Sequence, residues 1–165
     1  MSNDLKAAVI GLGVGVRHIS AYNEHPHCNV DIVCDFEQNA LDKISEEMPS
    51  LRTTKHADEV INDSNVNLLS IASYDNFHAE QIINALEKGK HVFVEKPLCM
   101  NRKELDWIVS TLDKHPNLKL SSNLILRKST RFIELKKRIE SGSLGETYHF
   151  EGSYDYGRLS KLTEG

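Results

Sequence analysis

The chain is short of the residues that staple or punctuate a polypeptide. It holds 3 cysteines in 165 residues, too few and too scattered for a disulfide framework. Cys28 and Cys34 fall on one predicted strand, roughly 20 Å apart at about 3.3 Å per residue, so they cannot pair. They read as small reduced core residues, and a reducing compartment, the cytoplasm, is expected. With 4 prolines and 9 glycines, collagen-like repeats and linker-rich arrays are excluded. No run approaches the ~18 consecutive apolar residues of a membrane span. Met1-Ser2-Asn3-Asp4 lacks the basic region and apolar stretch of a signal peptide. A formal charge of −4 supplies no global basic field for nucleic acid or an anionic membrane.

What is present is an alternation. Apolar strand-like runs take turns with helical patterns, which predicts a parallel sheet with crossover helices. Strands are expected at Ala7 to Ile10, Val30 to Asp35, Leu51 to Thr54, Val66 to Ala72, His91 to Val94 and Leu118 to Ser121. Helices are expected over Val14 to Glu24, Gln38 to Glu47 and Ala57 to Ile61, then on a face of Ala79, Ile82, Ile83 and Leu86 closed by Gly89. Asn101 with Glu104 forms a capping box for a last helix, whose buried stripe is Leu105, Ile108, Val109 and Leu112. The fold class is therefore α/β, a doubly wound six-stranded parallel sheet of the Rossmann type over residues 1–122. Residues 123–165 start something else. Phe132, Leu135 and Ile139 pattern a helix ended by Gly142, and Glu146 to Tyr156 alternate like a strand. A lone strand would expose an edge, so the start of a second, antiparallel α+β domain, truncated here, is expected.

Gly11-Leu12-Gly13-Val14-Gly15 sits between a strand and a helix, the context in which such a turn informs. Glycine permits a tight turn and a close approach of backbone to a pyrophosphate, which the free N–H groups and the dipole of the helix start would bind. Val16 stands where the third glycine of G-x-G-x-x-G belongs, and by itself a structural glycine turn is an equal account. Asp35 shifts the balance. It ends the second strand about 20 residues beyond the turn, where a carboxylate accepts hydrogen bonds from the adenosine ribose. A 2′-phosphate would meet its charge, so NAD is expected over NADP. The alternative is a solvated or helix-capping aspartate.

Two further segments carry a family resemblance: Ile71-Ala72-Ser73-Tyr74-Asp75-Asn76-Phe77-His78, and Gly89-Lys90-His91-Val92-Phe93-Val94-Glu95-Lys96-Pro97-Leu98. From about Ala7 to Glu151 the chain resembles the family of glucose–fructose oxidoreductase, inositol 2-dehydrogenase and related sugar dehydrogenases, with Glu-Lys-Pro the most specific signature. The resemblance implies a Rossmann domain followed by an open sheet domain that supplies much of the substrate pocket and the contacts of a homo-oligomer. It implies that Lys96 reaches the nicotinamide end and the reacting hydroxyl, that Glu95 lies near the nicotinamide ribose, and that the bond before Pro97 is often cis. Ser73, Tyr74, Asn76 and His78 match the loop that passes the cofactor. Asn123 matches a polar position facing the nicotinamide, with Arg127 at the family's spacing. The glycine turn is one residue shorter than usual. Gly15 and His18 nevertheless keep a Gly-x-x-His spacing, which makes Gly15 the third glycine. Tyr74 replaces a common proline, and the family's further catalytic His and Asp belong to the second domain.

The implied chemistry is oxidation of a sugar, sugar-nucleotide or cyclitol hydroxyl, in which the cofactor takes hydride while the protein positions the reactants and manages the proton. Lys96 is the expected catalytic residue, with a pKa lowered by burial, against a surface lysine beside a turn proline. A non-catalytic redox sensor or docking module is the alternative, though it need not keep a proton-handling lysine. His25-Pro26-His27 lacks a completing ligand for a metal. His18 and His78, near helix starts, either contact the cofactor or cap and pack. The basic stretch Arg127 to Arg138 is interleaved with Glu134 and reads as a solvated face, without nucleic-acid binding.

Overall fold

A computed structural model describes residues 5–155. The chain divides into two units after Leu124.

The first unit is built around six parallel strands: β1 (Leu5–Ile10), β2 (Cys28–Cys34), β3 (Arg52–Thr54), β4 (Leu68–Ile71), β5 (His91–Val94) and β6 (Leu120–Ser122). Five helices connect them: α1 (Val16–Asn23), α2 (Gln38–Glu47), α3 (Ala57–Asn62), α4 (His78–Glu87) and α5 (Arg102–Lys114). The strand order is β3-β2-β1-β4-β5-β6, so the chain reverses direction across the sheet beside β1. That is the doubly wound arrangement expected from the alternation.

Strand periodicity explains why two cores form. Side chains of successive residues on β1 point to opposite faces. Ala7 and Val9 join Val33 of β2, Ile19 of α1 and Leu41 and Ile44 of α2 on one face. Ala8 and Ile10 join Ile71, Ile82, Ile83, Leu86 and Ile108 on the other. Ala7, Ala8 and Val9 are all 0% exposed. Buried on both faces, β1 reads as a continuous apolar run rather than as an alternation.

Helix α4 shows how local signals fix an element. Its apolar residues recur at helical spacing and are buried. It ends in a Schellman closure, with Gly89 N–H donating to Leu86 O at 2.9 Å and Lys90 N–H to Ala85 O at 3.0 Å. Gly89 takes φ +75°, which a side chain resists. At the start of α5, Asn101 Oδ1 accepts from Glu104 N–H at 3.0 Å, as the capping box predicts. The Glu104 carboxylate reaches back to Met100 N–H rather than to that of Asn101. The buried stripe of α5 differs from expectation: Val109 is 48% exposed and Thr111 is 1% exposed. The buried side of the helix therefore carries Thr111, three residues from Ile108, and not Val109.

The second unit contains a 3-10 turn (Ile125–Lys128) and α6 (Thr130–Glu140). Gly142, at φ +70°, closes α6 as patterned. The strand expected over Glu146 to Tyr156 is not there. Residues 146–155 form no strand, and Tyr156 lies outside the described residues. A strand needs a neighbour to complete its hydrogen-bond ladder, and residue alternation alone supplies none. Tyr148 and Phe150 stand exposed.

Candidate functional site

The site follows from the reversal of strand order. Where crossovers diverge to opposite faces, a crevice opens beyond the C-terminal ends of the central strands. A cavity of about 710 Å³ lies there, walled by Gly11 to Gly13 after β1, Asp35 to Glu37 after β2, Lys55 after β3 and Ala72 to Tyr74 after β4.

Its floor is the glycine turn, in which Gly11 and Gly15 are required for different reasons. Gly11 takes φ +91°, and a Cβ there would lie 2.3 Å from Ala72 O. Gly15 precedes α1, and its Cβ would meet Gly11 O at 2.0 Å and Val9 Cγ1 at 2.9 Å. That close helix–strand packing is the part a third glycine plays, so the shortened turn still has one. Gly13 faces open space, with nothing within 4 Å of a Cβ. The N–H groups of Gly13, Val14 and Gly15 donate to no protein acceptor among the described residues. Unpaired donors at a helix start are what an anionic group would satisfy. Leu12 itself is 6% exposed and anchors the turn in the core, while Val14 is half exposed.

Asp35 lies immediately after β2. Its Oδ2 accepts from Leu12 N–H at 2.6 Å, and its Oδ1 from Glu37 N–H at 2.9 Å. The carboxylate thus ties the glycine turn to the start of α2, and Asp35 lines the cavity. Beneath it, burial pushes the Cys34 thiol up to about 12, with the Asp35 and Glu59 carboxylates adding to the effect. Cys28, Cys34 and Cys99 are all free thiols.

Phe36, Lys55, Phe77 and Gln81 also wall the cavity and were not expected there. Phe36 and Tyr74 face each other with ring centroids 5.8 Å apart. The adjacency of Phe36 to Asp35 was the available signal. Lys55 follows the short β3 and gave none.

At the other end of the crevice, beyond β5, stands Glu95. Its Oε1 accepts from Asn123 Nδ2 at 2.7 Å and lies 3.1 Å from His18 Nε2. Its Oε2 is 3.3 Å from the Lys96 N–H. Both carboxylate and imidazole are nearly buried, at 12% and 11% side-chain exposure. Glu95, Asn123 and His18 are therefore brought together. The Lys96–Pro97 bond is cis. Lys96 is exposed, so the burial expected of it is not supplied by residues 5–155.

Ser73 and Tyr74 line the cavity, and Ser73 Oγ donates to Gln81 Oε1 at 2.7 Å. Asn76 is exposed on the 3-10 turn Asp75–Phe77, outside the cavity wall. His78 is 0% exposed. Its ring nitrogens lie 2.7 Å from Pro97 O and 3.0 Å from Ser73 O, so it clamps two site loops together from beneath. Arg127 is exposed on the 3-10 turn of the second unit. Among the described residues no three metal-ligating side chains converge, and no helix is long and apolar enough to cross a membrane.

A glycine turn with unpaired N–H groups, a carboxylate on the cavity wall and a crevice at the strand reversal are the features of a dinucleotide-binding domain. The chain belongs to the GFO/IDH/MocA oxidoreductase family, whose NAD-binding Rossmann fold matches residues 5–123. It is 28% identical over 145 residues to the myo-inositol 2-dehydrogenase of Thermotoga maritima, covering 87% of this chain and 43% of that protein. Against the inositol 2-dehydrogenase of Salmonella typhimurium it is 28% identical over 156 residues, 91% of this chain and 46% of the relative. The crystal structure of myo-inositol 2-dehydrogenase from Lactobacillus plantarum superimposes with a TM-score of 0.78 at 29% identity, over 86% of this chain and 42% of that one. The fold also matches the scyllo-inositol dehydrogenase of Lactobacillus casei with bound NAD(H) and scyllo-inositol, at TM-score 0.79 and 24% identity over 86% and 42% of the two chains. The chain spans less than half the length of these relatives.

Proposed function

We propose that this chain binds NAD(H) in preference to NADP(H), and that it is the cofactor half of an oxidoreductase acting on a hydroxyl of a sugar, sugar nucleotide or cyclitol. The observation that supports this most is Asp35, held on the cavity wall beside a turn only glycine can form. The N–H groups of Gly13, Val14 and Gly15 would hold the pyrophosphate, and Asp35 the adenosine ribose. Its charge disfavours a 2′-phosphate at close range. Glu95, Asn123 and Lys96 serve the nicotinamide end. When bound, the nicotinamide ring accepts hydride from the carbon that bears the reacting hydroxyl. Lys96 orients that hydroxyl and takes part in moving its proton. The inositol dehydrogenases among the relatives favour a cyclitol. In the part of those relatives that this chain does not span we place the rest of the substrate pocket and the contacts of a homo-oligomer.

Calorimetric titration of this chain with NADH and with NADPH tests the reading. NADH should bind, NADPH more weakly, and Asp35→Ala should weaken NADH about tenfold while narrowing the difference. Binding of neither nucleotide overturns it. This chain by itself should turn over no sugar. In the full-length enzyme Lys96→Met should lower turnover at least about a hundredfold; unchanged turnover removes Lys96 from the chemistry.

A further inference from the structure

A chain of polar side chains crosses the interior of the first unit. It starts at Ser70 on β4 and runs through His18 on α1 to Glu95 after β5. Ser70 Oγ is 2.9 Å from His18 Nδ1, and His18 Nε2 is 3.1 Å from Glu95 Oε1. Asn123 Nδ2 completes the set on that same oxygen. The Phe93 ring packs edge-on against the imidazole at 5.4 Å. The Ser–His–Glu order is that of an activated nucleophile, but Ser70 is 0% exposed, so no substrate can reach it. The network must act on what lies at its open end, and that is Glu95.

We propose, on the reading that this chain binds NAD(H), that His18 is a positioning residue for Glu95. A glutamate side chain has three rotatable bonds, and a carboxylate at a cleft rim swings freely unless it is tied. Here Oε1 is fixed from two directions, by the imidazole and the Asn123 amide. Ser70 and Phe93 hold the imidazole in turn. Oε2, which accepts only from the Lys96 N–H at 3.3 Å, keeps a lone pair for a ribose hydroxyl. His18 also sits three residues beyond Gly15, on the first turn of the helix whose start faces the pyrophosphate. One residue thus links the phosphate end of the site to the nicotinamide end, 77 positions away in sequence.

The test compares NADH with ADP, which carries the adenosine and both phosphates but no nicotinamide ribose. His18→Ala should weaken NADH about tenfold, the effect of losing a charge-assisted hydrogen bond. ADP binding should stay within about twofold. The double variant His18→Ala/Glu95→Ala should bind NADH no worse than Glu95→Ala alone, and His18→Gln, which can still donate to Glu95, should recover part of the loss. A merely structural role in packing α1 would weaken ADP and NADH alike, and that result, or additive losses in the double variant, overturns the proposal. A readout without ligand separates it from the cofactor reading. In proton NMR of the ligand-free chain, a slowly exchanging His18 imidazole N–H should be present and should vanish in Glu95→Ala. Its persistence there overturns the positioning role even if NADH binds. Failure of the wild type to bind either nucleotide overturns the cofactor reading instead, and with it the role of His18 toward a ribose.

Discussion

The two ends of the crevice are unequally finished. At the Asp35 end, this chain supplies floor, wall and charge. The turn passes so close to Ala72 that a Cβ at Gly11 would overlap its carbonyl oxygen, and the carboxylate is fixed by two backbone N–H groups. At the Lys96 end only the carboxylate is fixed. Glu95 is held from two sides, while Lys96 beside it projects from the surface. Affinity and chemistry therefore divide along the site. On the proposed reading, recognition of a nucleotide rests on the end that is complete here, and proton transfer on a side chain that nothing among the described residues encloses.

Substitutions can break that division or sharpen it. The largest effect is expected from Gly11→Ala. Its φ of +91° and the 2.3 Å approach of Ala72 O leave a methyl nowhere to go. Strain on the order of 1–3 kcal/mol, together with a sprung turn, should abolish NADH and ADP binding and lower the thermal midpoint. Measurable binding at wild-type strength would show that the turn does not carry the affinity. Next comes Leu86→Ala, in the core beneath both ends. It should destabilise the fold by about 2–5 kcal/mol in urea titration and leave the ratio of NADH to ADP affinity unchanged. A third, smaller effect is expected from Lys96→Met on binding itself. NADH affinity should fall no more than about twofold, because an exposed ammonium contributes little. A tenfold loss would mean that this end is as finished as the other.

The smallest concerns pH. The Cys34 thiol is raised from 9.0 to about 12 in the folded chain by burial, and then by Asp35 and Glu59. Unfolded chains ionise this thiol first as pH rises, so folded stability is full below about pH 9 and declines from there toward about pH 12. Urea unfolding across that range should show the decline, and Cys34→Ala should flatten it.

Much of this was legible in the chain, for local reasons. The αβ alternation is written in short apolar runs and caps, and α2 and β5 fall within the residues expected for them. The glycine turn and Asp35 could be read because one crossover separates them. Other features depend on partners far away in sequence. The burial of Thr111 rather than Val109 on α5 is decided by what the helix packs on, α4 included. The missing strand after Gly145 had every local property of one except a neighbour. The link from His18 to Glu95 spans 77 positions, so the spacing of His18 after Gly15 could mark it without saying what it holds.

Lys90 is 2% exposed and points inward, donating from Nζ to Asp63 O at 2.6 Å and Val66 O at 2.7 Å. No carboxylate side chain is among those two acceptors, and burial lowers its pKa. A reagent that acylates amines should modify the surface lysines within minutes and spare this one until the loop before β4 lifts away. The rate at which Lys90 is labelled is thus a built-in clock for the opening of the loop that leads into β4.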